Sequence, residues 1–328
     1  MKLYKSLNIS YFNNKHKVSI IQSLFRELLN KEILVKIKYS CLNYKDALSV
    51  TGAAKIILTS NLTAGLDFSG TVIESNSKKF SKGDKVLATG SGLGENINGG
   101  FSEYIYINED CLIHVPEKLN LLSAMQIGTA GFTAAIAIEK ILLNKQKVDN
   151  GPILVTGATG GVGSLAIDMM NNLGFYVIAY TRKKNMNVYL KSIGAKDIIN
   201  KEPEINKKKL NSKIFAGGID NVGGNILSWL IKSTKDNGNI VSIGMALSSE
   251  LNTNVFPFII RSVNILGISS TNYPKQRRNM IWSKIANIYK PKHLRKIAAK
   301  TIYLNDVVKF SKKMIKGNTT GKIVIKMH

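Results

Sequence analysis

Cysteine is scarce. The two residues present, Cys41 and Cys111, keep no paired spacing, which excludes a disulfide scaffold and any four-cysteine zinc lobe and leaves both as small core residues or inert thiols. The four histidines, His16, His114, His293 and His328, fall outside any metal-ligand spacing and read as surface or strand-end side chains. No uninterrupted apolar run reaches membrane length. The longest apolar region, residues 121–143 (LLSAMQIGTAGFTAAIAIEKILL), is broken by Ser123, Gln126, two threonines and Glu139-Lys140, which predicts a buried helix and no membrane partner. The N-terminus has no apolar segment followed by a small-residue cleavage site, so a cytoplasmic location is expected. Internal repeats and low-complexity linkers are also missing.

Acidic residues are few: 21 Asp and Glu face 46 Lys and Arg, a formal net charge of +25. Such an excess ordinarily points to nucleic acid. Here the lysines are spread along the whole chain, neither gathered on one helix nor interleaved with aromatics, so no nucleic-acid partner is expected. The useful consequence is attraction for small polyanions such as phosphates.

What remains is an ordinary core-forming composition, 44% hydrophobic over 328 residues, enough for two domains. Up to about residue 120 the chain reads as strands with turn punctuation: the alternating run Ile33–Tyr39, a short helical segment headed by Asn43, Tyr44, Lys45 and Asp46, and a loop with five glycines between Gly90 and Gly100. Beyond residue 143, apolar runs near 153–155, 176–179, 197–199, 218–222, 238–244 and 265–267 alternate with helical segments. This alternation predicts an α/β fold, a β-rich first domain followed by a doubly wound parallel sheet.

The sharpest local signal is PILVTGATGGVGSLAIDMMNNLGFYVIAYTRK, residues 152–183. An apolar strand runs into Gly157, Gly160, Gly161 and Gly163, then into a helix and a second strand. Glycines let the backbone approach a phosphate closely and let the helix pack on the strand, and the free N–H groups and positive helix end then face the anion. A dinucleotide pyrophosphate is the implied ligand. At the end of the second strand an NAD site ordinarily carries an acid for the ribose 2′-hydroxyl, whereas this chain has Tyr180, Thr181, Arg182, Lys183 and Lys184. Thr181, Arg182 and Lys183 suit a 2′-phosphate, so NADPH is the expected cofactor.

The order of motifs resembles the medium-chain dehydrogenase/reductase superfamily. LNYKDALSVTG, AGLDFSGTV, GSGLGENINGGFSEY, IGTAGFTA, GATGGVGS, YLKSIGAK, AGGIDNVGG and VFPFIIRSV followed by NILGI are together similar to its zinc-free quinone oxidoreductase branch, the acrylyl-CoA reductase type, over nearly the whole chain. The resemblance implies a GroES-like catalytic domain over residues 1–122, a Rossmann domain over 123–267, a C-terminal return over 268–328 that completes the first, and a homodimer. Zinc members carry Cys at about Asn43 and Gly-His-Glu where this chain has Gly65-Leu66-Asp67, so no metal is expected. Asn98 stands where relatives are expected to carry Trp, which bears on acyl-chain preference.

Without a Lewis acid, hydride must go to an electrophile already activated, and an α,β-unsaturated acyl-CoA is one. Hydride adds at the β-carbon, charge gathers on the thioester oxygen, and the α-carbon takes a proton. By resemblance Asn43 and Tyr44 lie at the nicotinamide end, with Tyr44 as proton donor or oxyanion stabiliser and Asp67 orienting it. The same likeness assigns cofactor contacts to Tyr44, Thr133, Gly157, Thr159, Gly160, Gly161, Val162, Gly163, Thr181, Arg182, Lys183, Asn221 and Gly244. A quinone reductase of the same fold and a non-catalytic NADPH-binding protein are the alternative readings.

Overall fold

The computed structural model describes residues 3–13, 15–203 and 208–327; His328 lies outside them. The chain divides into one unit of residues 1–129, 271–286 and 298–328 and a second of 130–270 and 287–297. Strands fill its beginning: β1 (Leu3–Phe12), β2 (Lys15–Leu24) and β3 (Glu32–Leu42), then the helix α1 (Tyr44–Thr51), then β4 (Asn61–Thr63), β5 (Asp67–Ser75), β6 (Lys85–Thr89), β7 (Tyr104–Asn108) and β8 (Ile113–His114). Helix α2 (Leu121–Leu143) leads into β9 (Ile153–Val155), α3 (Gly161–Asn172), β10 (Val177–Tyr180), α4 (Asn187–Ser192) and β11 (Asp197–Ile199). Next come β12 (Phe215–Asp220), α5 (Gly224–Lys232), β13 (Thr234–Ser242), α6 (Phe256–Arg261) and β14 (Asn264–Gly267). The chain closes with α7 (Lys275–Ala286), α8 (Leu294–Ile297), β15 (Lys300–Tyr303), α9 (Val307–Ile315) and β16 (Ile323–Lys326).

In the first unit the alternation along β3 buries Ile33, Val35 and Ile37 against Phe68, Val86 and Phe101. The sheet runs β15-β16-β3-β5-β6-β8, with β7 also pairing β3. Its C-terminal member is held antiparallel in the register Ile323↔Leu42 and Val324↔Cys41, so the next position outward sets Lys322 against Asn43. The hairpin β1–β2 pairs Leu3↔Leu24 through Phe12↔Lys15. No described side chain of β2 is fully buried, so the apolar alternation that reveals a strand is weak there.

The second unit is a six-stranded sheet in the order β11-β10-β9-β12-β13-β14, every pair parallel. The order reverses between β9 and β12, and in such a sheet the crevice beyond the carboxyl ends of these two strands is where ligands bind. Helix α2 is long and apolar enough to cross a membrane, yet 72% of its most apolar window is buried within the protein. It is two helical segments across a kink at Gly128, where φ is 51° and ψ is −159°. A Cβ on Gly128 would stand 2.6 Å from Cys41 Sγ and 2.8 Å from Asp67 Oδ2, so the chain passes over these two side chains only as glycine.

Candidate active site

In the first unit α1 begins at Asn43, whose backbone is extended (φ −106°, ψ 164°). Asp46, three residues on, accepts the Asn43 backbone N–H at 2.8 Å, the reciprocal half of a capping box. Its Oδ2 also accepts from Asn43 Nδ2 at 3.0 Å, and its Oδ1 takes the Leu66 N–H at 2.9 Å. Asn43 Nδ2 donates as well to Asp67 Oδ2 at 3.0 Å, while Lys322 Nζ donates to Asn43 Oδ1 at 2.8 Å. The amide can lie only this way round, because a flipped one would turn its oxygen to two carboxylates and its N–H groups to an ammonium.

Asp67 is met from three sides. Its Oδ2 accepts from Cys41 Sγ at 2.9 Å and from the Thr129 N–H at 2.7 Å, and Thr129 Oγ1 bonds its Oδ1. Lys322 Nζ reaches Cys41 Sγ at 3.2 Å. Cys41, Asp46, Asp67 and Lys322 are each 2% exposed or less, and low-dielectric burial sets their chemistry. It pushes the Asp46 carboxyl up to about 7, the Asp67 charge adding to the effect and the Asn43 and Leu66 donors opposing it. Burial, then the Asp67 charge, drives the Cys41 thiol well up, which keeps it protonated. Arg278, bonded to the Thr89 carbonyl and hydroxyl, is lowered to about 10 by burial against the pull of Asp67, and stays charged at neutral pH.

These contacts narrow two expectations. Both Asn43 amide hydrogens are engaged, leaving none for a substrate oxygen. Asp67 accepts from Asn43, Cys41 and Thr129, and among the described residues Tyr44 gives it no hydrogen bond. Tyr44 itself is 44% exposed, and its hydroxyl has no hydrogen-bond partner among the described residues. The neighbouring Lys45 ties α1 to the glycine loop through Glu95 at 2.6 Å, and Asn98 Oδ1 accepts the Thr63 N–H at 3.1 Å, fixing that loop to β4. Sequence reading did not include Asp46, Thr129, Lys322 or Arg278 in the site. Asp46 at the capping-box spacing from Asn43 and the lone lysine before the apolar strand Ile323–Lys326 were the available signals.

In the second unit Gly157, with φ 58°, ends the β9 turn and Gly160 caps α3. A Cβ on Gly163 would come within 2.4 Å of the Gly157 carbonyl oxygen, so the helix start and the turn touch backbone to backbone. The Ala158 N–H donates to the Tyr180 carbonyl at 3.2 Å, placing the turn beside the end of β10 and hence near Thr181, Arg182 and Lys183. Thr181 is buried and its Oγ1 accepts the Lys183 N–H at 3.1 Å; Arg182 is exposed, and burial pushes the Lys183 ammonium down. Asn221 donates through Nδ2 to the Thr156 carbonyl at 2.7 Å, its Oδ1 is buried without a partner, and a Cβ on Gly244 would lie 2.6 Å from its carbonyl. Gly157, Gly160, Gly161, Val162, Gly163, Asn221 and Gly244 therefore converge, while Thr159 and Thr133 are buried. The open N–H groups at the head of α3 fit a phosphate, and the orphaned Asn221 oxygen, an acceptor, fits a hydroxyl or N–H donor of the same ligand. Among the described residues no group of three His, Cys, Asp and Glu side chains could hold a metal ion.

A β-rich unit with a buried polar cluster and a doubly wound sheet with a glycine turn at its switch point define an oxidoreductase of the two-domain dehydrogenase class. Residues 30–117 match the alcohol dehydrogenase GroES-like domain family and residues 161–286 the zinc-binding dehydrogenase family. The chain is 35% identical over 96% of both lengths to the putative quinone oxidoreductase YhfP of Bacillus subtilis, and 36% identical to the probable acrylyl-CoA reductase AcuI of Escherichia coli over 90% of this chain and 91% of that one. The crystal structure of E. coli YhdH with bound NADPH superposes with a TM-score of 0.93 at 34% identity, covering 98% of this chain and all of that one. YhfP, solved with NAD bound, gives 0.94 at 33%, covering all of both chains. The chain belongs to the medium-chain dehydrogenase/reductase superfamily.

The raised Asp46 carboxyl makes stability depend on pH. A carboxyl held at about 7 in the folded chain and near 3.9 when unfolded binds its proton more tightly when folded. Its favourable contribution is complete at low pH and is lost as pH rises from about 4 through about 7. The Tm of the wild type minus that of Asp46→Asn should therefore fall between about pH 4 and about pH 7. A difference independent of pH in calorimetry would rule the assignment out.

Proposed function

We propose that the chain reduces the C=C bond of a short α,β-unsaturated acyl-CoA, acrylyl-CoA foremost, with NADPH. The observation that carries this reading is the first-unit cluster: it is closed by hydrogen bonds among Cys41, Asn43, Asp46, Asp67, Thr129 and Lys322, and it leaves the Tyr44 hydroxyl at the head of α1 exposed and unpartnered. A buried ammonium at hydrogen-bond distance from Asn43 repels a metal ion from this place, which favours a substrate whose carbonyl conjugation already activates it. The names of the relatives support the substrate class.

The nicotinamide, when bound, supplies the hydride. The turn Gly157–Gly163 holds the pyrophosphate, Asn221 accepts a hydrogen bond from the cofactor through its free oxygen, and Thr181, Arg182 and Lys183 hold the adenosine 2′-phosphate. Gly244 keeps the backbone beside Asn221 open, and Thr133 is assigned to the cofactor. Tyr44 gives its proton to the substrate or hydrogen-bonds the thioester oxygen as charge develops there. Asn43 and Asp67 act one step back, as positioning residues for α1. The excess of cations over the surface favours approach of the polyanionic thioester.

A quinone reductase is the second reading, favoured by the description of YhfP. Consumption of NADPH with acrylyl-CoA, crotonyl-CoA and a simple quinone separates the two: acrylyl-CoA should give the highest kcat/KM, and a higher value for the quinone sinks the thioester reading. Tyr44→Phe should lower kcat by roughly 10²–10⁴ with NADPH affinity little changed. Full activity in that variant would return Tyr44 to a packing role.

Cofactor choice is open to the same kind of test, since relatives were solved with NADPH and with NAD. A charge-assisted hydrogen bond contributes about 1.5–3 kcal/mol, and the exposure of Arg182 lets salt weaken its share. Arg182→Ala with Lys183→Ala should raise the KM for NADPH steeply and leave that for NADH nearly unchanged. Equal loss of both cofactors would mean that these residues serve the fold rather than the phosphate.

A further inference from the structure

Lys322 is the only lysine among the described residues that is fully buried, 2% exposed. It stands between Gly321 and the apolar run Ile323–Ile325, where an aliphatic side chain would cost far less to bury. Its position follows from sheet register: Ile323 faces Leu42, so Lys322 faces Asn43. Its Nζ donates to Asn43 Oδ1 at 2.8 Å and to Cys41 Sγ at 3.2 Å. Neither acceptor is an anion, since one is an amide and the other a thiol that burial keeps protonated. The charges the ammonium answers lie one bond further in. Asn43 passes its hydrogen bonds to both Asp46 and Asp67, and Cys41 passes one to Asp67.

We infer that Lys322 is a positioning residue for the proposed reduction, acting through Asn43. By holding the amide oxygen, the ammonium forces both amide hydrogens toward the two carboxylates. This fixes Asn43 as the N-cap of α1 and fixes the helix head that presents Tyr44. By its charge it favours the ionised form of Asp46, against the burial and the Asp67 charge that push that carboxyl up. The groups facing this pair are Cys41, Lys322 and, through Asp67, Arg278. Arg278 is already committed to Thr89, so it cannot take over the bond to Asn43.

The inference rests on the proposed reduction, and its test uses the full chain with two readouts, turnover and the pH dependence of thermal unfolding. Lys322→Met should lower kcat about 10–100-fold while leaving the KM for NADPH within about twofold, because the glycine turn and the 2′-phosphate residues belong to the other unit. Losing a cation raises neighbouring carboxyl values, so the pH midpoint of the Asp46-dependent unfolding step should move upward. Lys322→Arg restores the charge and should return the midpoint toward that of the wild type. If the Met variant does not fold, Lys322→Gln keeps a donor to Asn43 without the charge and takes the same test. An unchanged kcat overturns the inference whatever the midpoint does, and a lower kcat with an unmoved midpoint reduces Lys322 to packing. If the wild type reduces no thioester or quinone, the functional reading fails separately; a shifted midpoint then still supports the charge role of Lys322, and an unshifted one removes it.

Discussion

A carboxylate with no exposed surface must be surrounded by donors, and the first unit is arranged to surround Asp67. Asn43, Cys41 and Thr129 each give it a hydrogen bond, and each arrives from a different part of the chain. Cys41 comes from β3, Asn43 from the head of α1, and Thr129 from the residue after the Gly128 kink. The kink is therefore part of the solvation of Asp67, and it needs glycine: any Cβ at the kinked residue 128 would press into Cys41 and Asp67. Lys322 completes the arrangement from the last strand, which ties the C-terminal return to the start of the fold by charge as well as by sheet pairing.

The second unit obeys a different constraint. There the backbone itself must come close, and side chains are removed to let it. Gly163 lies against the Gly157 carbonyl and Gly244 against that of Asn221, while Gly157 takes a positive φ that any other residue would adopt at a cost. The outcome is a row of N–H groups at the head of α3 with nothing in the way, and fixed dipoles of this kind attract a phosphate without needing a cation. The cations Arg182 and Lys183 stand beside the turn, just past the end of β10.

This difference explains what was legible in the sequence. The glycine turn and the alternation of strands and helices are local patterns, set by residues a few positions apart, whereas Tyr44 and Asn43 were marked out by the family resemblance. The cluster around Asp67 is not local. Lys322 and Asn43 meet because Ile323 pairs with Leu42, and a one-residue shift in that register would turn Lys322 to the opposite face. Nothing near residue 322 announces its partner. Asp46 was visible as a helix-capping residue, but its burial and its link to Asp67 depend on where β5 falls. The β1–β2 hairpin stayed faint for the opposite reason: its pairing is long, but its faces are too weakly segregated for alternation to show.

The buried cluster also bears on the kind of chemistry the proposed site can support. An ammonium held by an amide and a thiol is a buried, fixed charge. Its influence on a bound molecule must pass through Asn43 and the helix it heads. Such a site can orient and stabilise, yet it cannot polarise an alcohol toward its alkoxide as a metal does. A substrate must then bring its own activation, and conjugation to a thioester carbonyl provides it. On this reading the protein's part is to place a proton donor, and the most polar interior of the first unit serves to hold the helix that carries one.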